Sequence, residues 1–298
     1  MLWAFLGANV QAQEPVAAPS VKMIDLDGHA VRVQVIGLDK RQEGTPVVVF
    51  EAGATNPLEI WGGILPQLAA ITPVIAYDRA GLGRSEWDEA RPTPQHVANR
   101  LRRLLKHLGV EPPYVMVGYS WGGILARYFA GLHPRDVAGL VFVDPGPIVT
   151  QPLDDNLAAF NAIGAGRDGY DAYWSSFATL FEKKAPAARA EFDVFRRLME
   201  IDPAGRDLRP VPPVPVVVIV AAKYFSLANM KLPYDPNAHF QADLRHRIRL
   251  LQEWALGSPQ GTLVMSNHAT HLITREDPDL IVWAIQRILS VVSNDGNR

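Results

Sequence analysis

The sequence contains no cysteine, which removes disulfide frameworks, thiolate nucleophiles, iron–sulfur clusters and cysteine-type zinc sites from consideration. It also lacks an excess of positive charge: 29 Lys and Arg stand against 31 Asp and Glu, for a formal net charge of −2. A nucleic-acid-binding surface needs a basic stripe or patch. The one locally basic run, Arg100, Arg102, Arg103 and Lys106, is interleaved at helical spacing with Leu101, Leu104, Leu105 and Leu108. That pattern reads as the solvated face of an amphipathic helix, and nucleic acid is not expected as a partner. Long hydrophobic runs are missing too. The longest, residues 214–222, has strand length and is interrupted by Pro215, far short of the ~20 residues that span a bilayer. No membrane span is expected.

The first residues carry a weaker signal. Residues 2–10 form a short apolar stretch with no preceding Lys or Arg, followed by Val10-Gln11-Ala12 and Gln13-Glu14-Pro15. Small residues ahead of a polar, proline-containing start resemble a signal-peptidase site. Residues 1–20 are therefore read as a tail or signal-peptide remnant, and a periplasmic or secreted location is favoured over a cytoplasmic one.

What is present is ordinary globular composition: 298 residues, 48% hydrophobic and 20% charged, enough for one large domain carrying an insertion or for two smaller domains. Residues 21–26 and 30–36 alternate apolar and polar side chains around Asp27-Gly28, the pattern of an antiparallel hairpin. Short continuous apolar runs follow at 47–50, 74–77, 115–117, 140–143 and 216–220, each fitting a strand buried on both faces. Helical patterns at 58–70, 94–108, 124–132, 239–256 and 279–292 separate or follow them. This alternation predicts an α/β fold with a mostly parallel, doubly wound sheet. Residues 147–213 break it, with helix-like pieces rich in aromatics (Phe160, Tyr170, Tyr173, Trp174, Phe177, Phe181, Phe192, Phe195) ending in a proline-rich linker at 210–215. They are expected to form a helical cap inserted between core segments 21–146 and 214–298. Most of these rings should glue cap to sheet, with Trp174 and Phe177 as candidates to face a ligand.

Chemistry is concentrated at Gly118-Tyr119-Ser120-Trp121-Gly122, followed by Gly123. A G-x-S-x-G motif between a strand and a helix is the context in which a serine is lifted on a sharp turn with its hydroxyl exposed. The helix that follows presents N–H groups and a positive dipole end to developing negative charge.

At this point the chain resembles the α/β-hydrolase fold superfamily, serine hydrolases and esterases with an inserted helical cap. The resemblance runs from about residue 21 to 292. It rests on the elbow, Phe50-Glu51-Ala52-Gly53-Ala54, Tyr77-Asp78-Arg79-Ala80-Gly81-Leu82-Gly83-Arg84-Ser85, Gly139-Leu140-Val141-Phe142-Val143-Asp144-Pro145, and the late His271 with Pro278. It implies an oxyanion hole made by the backbone N–H groups of Ala54 and Trp121, with Asp78 fixing a turn rather than catalysing. It implies a base near His268 and His271, and the spacing to Pro278 favours His271. A metal site on this histidine pair lacks a further ligand cluster, and no metal or cofactor is implied. The acid departs from the commonest pattern: the loop Ala221-Ala222-Lys223-Tyr224-Phe225 has no carboxylate. Asp144, at the end of the preceding strand, and Asp235 are the candidates, Asp144 ahead.

The expected activity is hydrolysis of a small-molecule carboxylic ester by a Ser-His-Asp acyl-enzyme mechanism. Amide, lactone or C–C bond hydrolysis would use the same machinery. Serine at the elbow, where an aspartate would be expected, argues against a haloalkane dehalogenase or epoxide hydrolase. A non-catalytic binding module on the same fold is the rival from another class, because fold alone does not fix function.

Overall fold

The computed structural model describes residues 20–146, 153–201, 209–225 and 230–295. The stretch on which the export reading rests, residues 1–19, and the first residues of the expected cap lie outside them. Among the described residues eight strands form one sheet: β1 (Ser20–Leu26), β2 (His29–Ile36), β3 (Val47–Glu51), β4 (Val74–Tyr77), β5 (Tyr114–Tyr119), β6 (Val137–Val143), β7 (Val216–Ala221) and β8 (Gly261–Ser266). Their order is β1-β2-β4-β3-β5-β6-β7-β8. The β1–β2 and β2–β4 pairings are antiparallel, and every later pairing is parallel. The fold class expected from the alternation of strands and helices is the one observed.

The continuous apolar runs are explained by burial on both faces. Every residue of β3, β4, β5 and β7 is buried, because helices cover the sheet on either side. The helices are α1 (Leu65–Ala69), α2 (Pro94–His107), α3 (Trp121–Leu132), α4 (Leu153–Asn156), α5 (Ala158–Ala162), α6 (Gly166–Thr179), α7 (Pro186–Glu200), α8 (Pro236–Leu256), α9 (Ile273–Glu276) and α10 (Pro278–Asp295). One core layer joins Val47, Val49, Met116, Phe142 and Val218 to apolar faces of α2, α3 and α8. The opposite layer joins Val48, Phe50, Val117, Val141 and Ile219 to α1 and α10.

Two local expectations are corrected. The helix predicted over 58–70 is broken into a 3₁₀ turn, Leu58–Trp61, and the short α1. Gly62 and Gly63 sit at the break, where backbone entropy disfavours helix. Within α2, Arg100 is not part of a solvated face. It is 7% exposed and pairs with Asp88 at 3.0 Å, whereas Arg102 and Arg103 are exposed as the periodicity predicts. Arg100 lies three residues after buried Val97 and four before buried Leu104, on the edge of the apolar stripe.

Between β6 and β7 the described chain is helical, α4 to α7. Its rings pack as one cluster: Phe160, Tyr170, Trp174, Phe181, Phe192 and Phe195 lie against Trp121, Ile124, Leu125 and Tyr128 of α3. These helices are thus packed on the helix that follows the Gly118–Gly122 turn. No helix among the described residues is long and apolar enough to cross a membrane.

Candidate active site

Parallel strands deliver three side chains to one edge of the sheet. Ser120 follows β5, Asp144 follows β6 and His271 lies in the loop after β8, the carboxyl-end position where open α/β sheets build sites.

Ser120 has φ 53 and ψ −122, a conformation that costs a non-glycine residue about 1–3 kcal/mol. The surroundings over-determine it. The Ser120 N–H donates to Val143 O at 3.0 Å, and Ser120 O accepts from the Gly123 N–H at 2.9 Å. A Cβ at Gly118 would collide with Gly122 O, and one at Gly122 would collide with Glu51 O and Ala52 O. Gly118 is therefore required by the tightness of the turn itself and Gly122 by its close passage against the end of β3, and α3 starts at Trp121, three residues before the helical pattern in the sequence.

Ser120 Oγ lies 3.0 Å from His271 Nε2, and His271 Nδ1 lies 2.6 Å from Asp144 Oδ2. Asp144 is 2% exposed, and its other oxygen accepts from the Ala221 N–H and from Arg247 Nη1, each at 3.0 Å. Burial alone would raise its carboxyl, but Arg247 and then His271 outweigh that effect and hold Asp144 well below the usual carboxylate range. An ionised Asp144 takes the Nδ1–H of His271, which leaves the Nε2 lone pair to accept the Ser120 hydroxyl proton. The alternative acid, Asp235, caps α8, where its side chain accepts from the Asn237 N–H at 2.9 Å.

The loop carrying His271 is fixed from several directions. The Tyr119 hydroxyl donates to His271 O at 2.6 Å, and the Tyr119 ring lies 5.2 Å from the imidazole. Glu276 accepts from the Thr270 N–H at 2.6 Å. The two late histidines do not converge: His268 is 72% exposed and pairs with Asp277 at 3.1 Å. Among the described residues no cluster of three His, Asp or Glu side chains is arranged to hold a metal ion.

Trp121 occupies the first helical position of α3, where the backbone N–H has no intrahelical acceptor. Ala54 follows β3, and its N–H has no acceptor among the described residues. Ala54 packs at the edge of the aromatic cluster that includes Trp121, Trp174 and, partly buried, Phe177. Trp174 is 7% exposed, with Phe195 at 5.3 Å and Phe177 at 5.8 Å between ring centroids. Phe177 also stacks on Tyr173 at 5.8 Å. Asp78 accepts from the Leu58 N–H at 2.7 Å and the Arg84 N–H at 2.9 Å, which agrees with its reading as a turn-fixing carboxylate.

Sequence reasoning missed a buried polar network beside Ala54. Arg79 pairs with Glu191 of α7 at 2.7 Å and with Glu51 at 3.4 Å, and the Tyr77 hydroxyl donates to Glu51 Oε1 at 2.5 Å. Burial pushes the Glu51 carboxyl up from 4.5 to about 7, against the opposing pull of Arg79 and Tyr77. A carboxyl raised on folding binds more protons in the folded state between those two values, so its contribution to stability falls as pH rises through that window. Replacing Glu51 by glutamine removes this titration. The variant's stability relative to wild type, from urea unfolding, is expected to be more favourable at pH 8 than at pH 5, by up to roughly 3 kcal/mol. A difference that does not change with pH would show that Glu51 is ionised in both states.

A family model described as the alpha/beta hydrolase fold matches residues 45–189. The chain is 32% identical over 134 residues to the probable transporter efuK of Hormonema carpetanum, covering 44% of this chain and 19% of that protein. It is 36% identical over 112 residues to lipase LipV of Mycobacterium tuberculosis, covering 36% and 42%. It is 35% identical over 100 residues to the soluble epoxide hydrolase of Corynebacterium sp., covering 34% of each. The chain spans less than half the length of the curated relatives it matches. Among solved structures, Cfl2 from Burkholderia cenocepacia superposes with a TM-score of 0.59 at 19% identity, covering 90% of this chain and 95% of that one, a likeness of fold.

Proposed function

The chain belongs to the α/β-hydrolase fold superfamily, and on that premise we infer that it is a serine hydrolase cleaving carboxylic esters of small molecules. The observation that carries this reading is the continuous path from Ser120 Oγ through His271, 3.0 Å away, to Asp144, 2.6 Å further on.

Ser120 attacks the ester carbonyl while His271 Nε2 takes its proton, and the Asp144 carboxylate stabilises the imidazolium so formed. The N–H groups of Ala54 and Trp121 hold the oxyanion of the tetrahedral intermediate. The imidazolium returns its proton to the departing alkoxide. Water then attacks the acyl-enzyme with His271 again as base, releasing the acid and restoring Ser120. A hydroxyl rather than a carboxylate at the elbow favours acyl transfer over the alkyl-enzyme chemistry of an epoxide hydrolase, although one relative carries that name. A panel of p-nitrophenyl esters, lactones and aminoacyl amides tests the reading. Saturable turnover of esters above the other two classes is expected, and turnover of amides or lactones alone would move the substrate class.

The helical insertion, residues 147–213, acts in this reading as a cap that selects substrates. Its rings reach the Ala54 side of the site, while the reacting side chains all lie outside it. Trp174→Ala or Phe177→Ala is expected to reorder esters by acyl-chain length, read as kcat/KM across a C2–C12 series, with kcat on the best ester changed less than the ranking. An unchanged ranking would make both rings part of the cap's own core.

A further inference from the structure

The hydrolase reading leaves unexplained why a charged side chain from the insertion is buried beside the Ala54 loop. Glu191 of α7 is 2% exposed and Arg79 is 5% exposed. Glu191 Oε2 accepts from the Thr55 N–H at 2.8 Å, and Glu191 Oε1 accepts from Arg79 Nε at 2.7 Å. The two Nη groups of Arg79 donate to Ala52 O at 2.7 Å and to Gly53 O at 2.8 Å. The backbone on both sides of Ala54 is therefore gripped by one ion pair. Thr55, the residue after Ala54, has φ 60, a left-handed conformation that a β-branched residue adopts only under external constraint.

The geometry has a consequence for the neighbouring amide. A trans peptide is planar, so its C=O and N–H point in opposite directions. Arg79 Nη2, at 2.8 Å, and the Asn56 N–H, at 3.2 Å, both draw the Gly53 carbonyl to one side of the chain, and the Ala54 N–H must point to the other. Of the two donors Arg79 is the nearer and the one a side chain supplies, and its Nε is seated on Glu191 at 2.7 Å.

We propose that Glu191 is a positioning residue that aims the Ala54 N–H through Arg79, so that the oxyanion site is complete only while the helical insertion is docked. The proposal rests on the serine-hydrolase reading and extends it to the control of that site by the insertion. With Glu191 absent, Arg79 is left to Glu51, its more distant partner at 3.4 Å, and Thr55 loses the acceptor that holds its strained backbone.

The test compares wild type with Glu191→Ala, Glu191→Gln, Arg79→Lys and Val194→Ala, the last altering a buried apolar residue of the same helix. Kinetics on p-nitrophenyl acetate are read beside inhibition by a trifluoromethyl ketone, whose adduct needs the oxyanion site, and by 1-butanol, a neutral alcohol that presents no oxyanion. A lost oxyanion donor costs about 10²–10³-fold in kcat, and a misaimed one should cost less, roughly tenfold to a hundredfold. That loss is expected for Glu191→Ala in kcat, with KM and 1-butanol inhibition within threefold of wild type and trifluoromethyl ketone affinity falling in step with kcat. Glu191→Gln, which keeps the bulk and an acceptor for Thr55, should recover part of the loss. Arg79→Lys, which keeps the charge without the fork, should resemble Glu191→Ala, and it decides the matter with Glu191→Gln if the alanine variant does not fold. Val194→Ala should retain kcat within twofold. An effect confined to KM, a kcat within twofold of wild type in the Glu191 and Arg79 variants, or an equal loss in Val194→Ala would overturn the proposal while wild-type turnover left the hydrolase reading standing. A wild-type protein that neither turns over esters nor reacts with a fluorophosphonate would overturn both.

Discussion

Ser120→Ala should yield a folded protein whose ester turnover is lower by roughly 10⁴-fold or more, as removal of a serine nucleophile is in comparable hydrolases. The whole effect is expected in the chemical step. Binding of a substrate or product should persist, because the turn is held by Val143 O, the Gly123 N–H and the close packing that Gly118 and Gly122 allow rather than by the hydroxyl. Alanine retains a Cβ and hence the strain at φ 53. Ser120→Gly should relieve it and raise unfolding stability by up to about 1 kcal/mol while being as inactive. Turnover by Ser120→Ala within tenfold of wild type, in protein free of contaminating esterase, would remove the nucleophile from the account.

Asp144→Asn should be nearly as damaging, about 10⁴-fold in kcat, by the tautomer argument that the trypsin aspartate variant illustrates. Asp144 uses one oxygen for the Ala221 N–H and Arg247 and the other for His271 Nδ1. An asparagine keeps its carbonyl oxygen on the two donors, so its NH₂ faces the imidazole. Nδ1 must then accept and Nε2 must carry the proton, which leaves no lone pair for Ser120. Folding should survive, since the amide retains the bulk and the bonds to Ala221 and Arg247. Asp235→Asn exchanges one good helix cap for another and should leave kcat within twofold. Equal losses in the two variants, or a greater loss in Asp235→Asn, would return the acid to the loop after β7.

The elbow was legible because its determinants are local: a buried strand, three glycines and a helix start lie within a dozen residues. His271 was legible by its distance from Pro278, which does open α10. Asp144 could be preferred to Asp235 only because residues 221–225 hold no carboxylate, and the strand register that brings it to His271 is a three-dimensional fact. Arg247 and Glu191 were not found, since their partners lie 103 and 136 residues away. A signal existed nonetheless. Glu191 falls on the stripe of Ala187, Ala188, Phe192, Phe195 and Met199, and Arg247 lies between buried Leu244 and Leu251 of α8. Arg100 shares the same feature on α2. A charge on the apolar stripe of a helix must be paired when buried, and all three are. The break at Gly62-Gly63 was misread because the apolar periodicity continues through it.

Reaction with a fluorophosphonate, followed by peptide mapping of the adduct, measures the central claim most directly. It asks for a nucleophilic serine activated by a base and needs no knowledge of the natural substrate. A single phosphonyl adduct is expected on the peptide containing Ser120, at a rate that collapses in His271→Ala and survives in His268→Ala, whose imidazole is turned to Asp277. Intact, folded protein that remains unlabelled, or label on another residue with Ser120 untouched, would contradict the account.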